Sequence, residues 1–199
     1  SVGAGRNPQD IAFAAGRAFV SCYDEAVFLE VDVETGTILE TWSTAAFADA
    51  DGLPETGWMH VHGRRVYLTC QRLDRDAYWG PADYSQLLVF DTDTDAWVDC
   101  DPAAPGVNGI VLSGANPSPQ PQPLPGGRLA VATVGAFAVF DGGLEIVDLE
   151  ALASGPLLVT EQEMQGEIVD FVMIDDAHYW AAISTPTFST RLIIGTIGW

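Results

Sequence analysis

GRRVYLTCQRLDRDAYWGPADYSQLLVFDTDTDAWVDC, residues 63–100, is the stretch whose reading decides the fold. Val66 to Cys70 is an apolar run of branched and aromatic side chains, entered through Gly63-Arg64-Arg65. Leu87 to Phe90 is a second run closed by Asp91, and Ala96 to Asp99 follows after a turn of Thr and Asp. Branched and aromatic side chains pack well on a pleated surface, while Gly, Asp and Thr close turns, so the segment predicts three short strands in a row.

Outward from this segment the pattern recurs. Gly16-Arg17-Ala18-Phe19-Val20-Ser21-Cys22 and Gly127-Arg128-Leu129-Ala130-Val131-Ala132-Thr133 repeat its opening, and Ala177 to Ser184 is a looser copy. The next strand repeats as well: Val27 to Asp32, Leu87 to Asp91 and Leu144 to Asp148 each end on an Asp that opens a polar turn. A period of roughly 50 to 60 residues with about four short strands per period predicts an all-β fold of propeller blades. About four blades are expected in one domain or propeller portion, near residues 7–55, 56–114, 115–166 and 167–199. The last has three strand candidates, ending with Arg191 to Ile197. Two closures fit: a four-bladed ring in which Ser1 to Gly5 pairs with that strand, or about half of a seven- or eight-bladed ring completed by further residues or another copy.

Two segments interrupt the plain repeat. Gln71 to Ser85 is a long insertion after the second strand of blade two, and it concentrates Arg72, Arg75, Tyr78, Trp79 and Tyr84. Trp, Tyr and Arg dominate binding hot spots, so these five are the candidate partner-binding residues. Asp101 to Gly127 carries alternating prolines from Pro117 to Pro125, which exclude a central strand there and leave an exposed linker or an extended lining segment.

The chain of 199 residues holds 8 basic and 28 acidic residues, none of them lysine, for a formal net charge of −20. Such a polyanion repels nucleic acid phosphates and anionic lipid headgroups, so nucleic acid is not an expected partner. No apolar run approaches the ~18 residues that span a bilayer, so no membrane insertion is expected. Three cysteines without CxxC spacing argue against a zinc site and a disulfide framework.

Cation chemistry has three candidate places. Asp49, Asp51 and Glu55, around Gly52 in one connection, offer oxygen ligands of the kind Ca²⁺ takes. Asp91-Thr92-Asp93-Thr94-Asp95 has alternate Asp spacing but lacks the glycine and distal Glu of a calcium loop, which favours a polar turn. His60 and His62 share one side of a strand, with no third ligand evident. No nucleophile elbow, SxxK or phosphate loop is present.

Asn7-Pro8-Gln9-Asp10-Ile11-Ala12-Phe13, followed by Gly16 to Val20 and by Val31-Asp32-Val33-Glu34-Thr35-Gly36, resembles the repeat of the YVTN-type propellers. Blade two repeats it as Arg65-Val66-Tyr67-Leu68 with Val89-Phe90-Asp91-Thr92-Asp93-Thr94. These motifs specify packing and turns and carry no catalytic residue. The resemblance implies a bacterial or archaeal propeller, periplasmic or extracellular, in a family where many members bind or scaffold other protein chains. A non-catalytic binding or scaffold module is therefore expected, with a metal-dependent hydrolase (lactonase-like) or quinoprotein-like enzyme as the alternative.

Overall fold

Antiparallel meanders account for almost the whole chain. In the computed structural model, which describes residues 2–198, the first sheet runs in sequence order through β1 (Pro8–Ala14), β2 (Arg17–Cys22), β3 (Val27–Val31) and β4 (Ile38–Ser43). The second begins with β5 (Thr56–His62) and β6 (Arg65–Cys70) and leaves the sheet for a small hairpin of β7 (Leu73–Asp74) and β8 (Gly80–Pro81). It returns as β9 (Gln86–Asp91) and β10 (Ala96–Trp97), and β11 (Ile110–Val111) extends the pairing of β9. The third sheet contains β12 (Gln122–Leu124), β13 (Arg128–Thr133), β14 (Gly143–Asp148) and β15 (Ala153–Ser154), with β16 (Val159–Thr160) also on β14. A single helical turn, α1 (Glu161–Met164), leads into the fourth sheet of β17 (Glu167–Met173), β18 (His178–Ser184) and β19 (Thr190–Thr196).

The repeated strand sits second in every sheet, and its alternation explains how the sheets stack. In β2, β6 and β13 a half-buried Arg is followed by five buried residues, because both faces are covered. Gly16 and Gly63, at φ of +75° and +60°, make the tight left-handed turns that feed β2 and β6. Val66, Leu68 and Cys70 of β6 pack with Phe19 and Phe28 of the first sheet, whereas Tyr67 of the same strand packs with Leu129 and Val131 of the third. Ala130 and Ala132 then meet Phe171, Tyr179 and Ile183 of the fourth. The three interfaces join consecutive sheets, which is blade-on-blade packing.

The proline segment resolves into extended pieces. Pro123 lies in β12, on the edge of its sheet opposite Leu129, where a missing N–H breaks no ladder. After β15 the chain gives only the short β16 and then α1. Thr160 and Glu163 form a reciprocal capping box there, and this T-x-x-E signal stands in the sequence. Among the described residues, the expected pairing of the N-terminal segment with the last strand is not made: β19 pairs with β18 alone, and Val2 packs on the first sheet, while Ser1 lies outside the described residues.

Candidate functional site

The insertion of blade two is an ordered cap rather than a loose loop. Asp74 closes a 3-10 turn over Arg75–Ala77 by accepting hydrogen bonds from the Asp76 and Ala77 N–H groups. Tyr78 and Trp79 follow at φ of +59° and +61°. Two successive bulky residues in the left-handed region cost on the order of 1 kcal/mol each, so the surroundings must over-determine them. The Trp79 N–H donates to the Asp74 carbonyl at 2.9 Å, and its ring stacks on Tyr23 with centroids 6.4 Å apart. The Arg75 guanidinium lies over the same indole, 4.6 Å from the centroid.

Arg75 ties this cap to the body of the protein. It donates to Glu55 at 2.9 Å, to Asp24 at 2.8 Å and to the Tyr23 carbonyl at 3.1 Å, while its backbone N–H donates to Asp51. Glu55 has no exposed surface and also accepts from the Leu73 N–H. Burial pushes its carboxyl up to about 7, against the lowering by the Leu73 N–H and Arg75. Arg72 points elsewhere: it donates to the Tyr84 carbonyl and its guanidinium covers the Tyr84 ring at 3.9 Å. The result is an outward aromatic patch on a braced base, with Tyr78 97% exposed, Trp79 50% and Tyr84 39%.

Beside the patch lies a cleft of about 310 Å³ between Asp49, Arg72, Asp74, Gly80 and Asp83. Two buried polar atoms of its lining residues, Asp49 Oδ2 and Arg72 Nε, have no hydrogen-bond partner in the protein. Burial is also what raises the Asp49 carboxyl above its ordinary value.

The sequence candidates therefore separate. Arg72 and Tyr84 form one stacked pair, Trp79 and Arg75 another, and Tyr78 projects alone. Asp51 and Glu55 are brought together by Arg75, and Asp49 Oδ1 accepts from the Asp51 N–H at 3.2 Å. Among the described residues, no group of three or more His, Cys, Asp or Glu is arranged to hold a metal ion. In the Asp91 to Asp95 turn, Asp91 and Asp93 meet Arg64 and Asp95 meets Arg17. His62 pairs with Glu150 at 3.1 Å, and burial lowers the pKa of His60. Sequence reasoning missed Tyr23 and Asp24, which lie in a different blade and are joined to the cap only by folding.

Stacked antiparallel meanders of three to five strands, joined in order through apolar faces, define a β-propeller architecture. Comparison with solved structures agrees. The chain superposes on hydrazine synthase of Kuenenia stuttgartiensis with a TM-score of 0.63 at 14% identity, covering 98% of this chain and 50% of that one. It matches the computationally designed protein Ika8 at 0.55 and 12% identity, over 98% of this chain and 48% of that one. The WD40 repeats of RRP9 match at 0.53 and 8% identity, over 96% and 52%. The chain thus spans about half the length of these structures, and at such identities the likeness is one of fold. No family profile and no curated protein matches the sequence.

Proposed function

We propose that the chain is a non-catalytic binding module of a YVTN-type propeller, working in the periplasm or at the cell surface and engaging a protein partner through the blade-two cap. The observation that carries this reading is the exposed pair Tyr78 and Trp79, held in left-handed backbone and braced from below by Arg75 on buried Glu55. A rigid aromatic patch loses little conformational freedom on binding, which is what hot spots require. The surface location rests on the resemblance of the repeat.

A photo-crosslinking phenylalanine analogue at position 78 tests the reading, applied to extracts of cells that make the protein. One protein should be captured in preference to others, and Trp79→Ala should weaken its binding about 30-fold, as loss of a ~2 kcal/mol hot spot does. Tyr78→Ala should weaken binding with no change in thermal stability, since that side chain is free of the fold. Crosslinking unaffected by Trp79→Ala in a folded protein would remove the cap as the binding surface.

A further inference from the structure

The second and third strands of every sheet are joined at one end of the molecule, and the aromatic side chains left in solvent collect there. The insertion with Tyr78, Trp79 and Tyr84 joins β6 to β9, residues 134–142 with Phe137 join β13 to β14, and residues 185–189 with Phe188 join β18 to β19. Contacts run from each connection to the next. Trp79 stacks on Tyr23, between β2 and β3, and Phe137 stacks on Phe188 with centroids 6.4 Å apart. Between these pairs, Asn116 donates its backbone N–H to the Ser85 hydroxyl and its side-chain amide to the Gly135 carbonyl.

Phe137 and Phe188 are 81% and 72% exposed, yet their loops are braced. Phe188 stands at φ of +55° and Ala138 at +61°, the left-handed region that also holds Tyr78 and Trp79. The Ala138 N–H donates to Glu167 at 2.8 Å, the Ala136 N–H to Asp141 at 3.0 Å and the Phe188 N–H to the Thr185 carbonyl at 2.8 Å. A contiguous aromatic patch left in water on ordered loops marks a binding surface.

Beside this pair the two loops enclose a cleft of about 210 Å³, lined by Ala138, Phe140, Glu167, Thr185, Pro186 and Phe188. Glu167 is the one charged group of that lining, and among the described residues it is in no ion pair. An apolar slot with a single carboxylate and ring faces at its edge suits a side chain that has a methylene stem and a cationic head. An anion would be repelled by Glu167 and by the net charge of −20. A wholly apolar group would cover the carboxylate and give it no counter-charge.

We infer that this cleft between blades three and four receives a basic side chain, arginine or lysine, of the protein partner. The stem lies against Phe140, Pro186 and Phe188, and the cation meets the Glu167 carboxylate. The inference rests on the reading of the cap as a partner site and adds the chemistry that the partner presents at the same end of the molecule.

The probe is a short peptide of glycine and serine around one arginine, titrated into the isotope-labelled chain and followed by amide chemical shifts. The amide signals of Ala138, Glu167 and Phe188 should move and saturate. Replacing the arginine by citrulline, which keeps the shape and loses the charge, should weaken binding about 10-fold. Glu167→Gln should do the same, since it keeps an acceptor for the Ala138 N–H and removes only the charge; if that variant fails to fold, the citrulline comparison on the wild-type chain decides. Trp79→Ala should leave the affinity for this peptide unchanged, because the probe fills the cleft alone, so failure of the cap and failure of the cleft are read separately. Equal binding of the citrulline peptide, shifts spread evenly over the acidic surface, no shift at Ala138 and Phe188, or unchanged affinity in folded Glu167→Gln would each overturn the inference.

Discussion

Glu161 has no exposed surface and, among the described residues, no cation paired with it; its carboxylate accepts from the Gly142 and Ile168 N–H groups at 3.1 and 2.7 Å. Burial outweighs these bonds and pushes its pKa from 4.5 up to about 7. A carboxyl raised in this way holds its proton more tightly when folded, so stability falls as pH rises from about 4.5 to about 7. Glu161→Gln should therefore flatten the dependence of melting temperature on pH across that window, against the slope that the net charge leaves in both proteins. An unchanged slope would show that Glu161 does not titrate there. Nothing in the sequence marks this residue, because a buried Glu and an exposed turn Glu look alike until a neighbouring sheet closes over one of them. Arg75 makes the same point. Its place in an aromatic loop is legible, but the inward turn to Glu55 and Asp24 depends on contacts 20 and 51 residues away.

At the scale of elements, the first interface is the most aromatic. Phe90 lies 4.7 Å from Trp42, 5.2 Å from Phe28 and 5.2 Å from Trp97, centroid to centroid, and is fully buried. Phe90→Ala leaves a cavity that rings on two sheets cannot fill, and about 3–5 kcal/mol of stability should be lost, read as a lower urea midpoint at unchanged slope. A loss under about 1 kcal/mol would mean that the two sheets are not packed as described. The strands around Phe90 were readable because alternation and a repeated Asp mark both ends. Short pieces such as β11, β12 and β16 were not, since two or three residues are too few to show a period, and prolines hide the one that joins an edge.

For the whole molecule, charge is the governing quantity. Much of the small basic content is held in ion pairs, Arg6 with Glu25, Arg17 with Glu30 and Asp95, Arg64 with Asp91 and Asp93, and Arg75 with Asp24 and Glu55, which leaves the excess acid to repel itself. Raising salt from about 10 mM to about 0.5 M shortens the screening length several-fold, so the melting temperature should rise. A fall would indicate that the ion pairs outweigh the repulsion. The repeat made the blade architecture legible, whereas the interface partners were not, because faces that meet are about 50 residues apart and differ from pair to pair. That difference has a consequence of its own. Phe19 faces the second blade, Tyr67 the third with its hydroxyl on the Leu149 carbonyl, and Ala130 the fourth, where Phe171 and Tyr179 supply the missing bulk. Position for position, each junction is a lock cut to a different depth, so blades exchanged within the series would meet either a void or a collision. The sequence of volumes along the chain therefore works as an address code that tells every blade its neighbour and keeps near-identical repeats from assembling out of order.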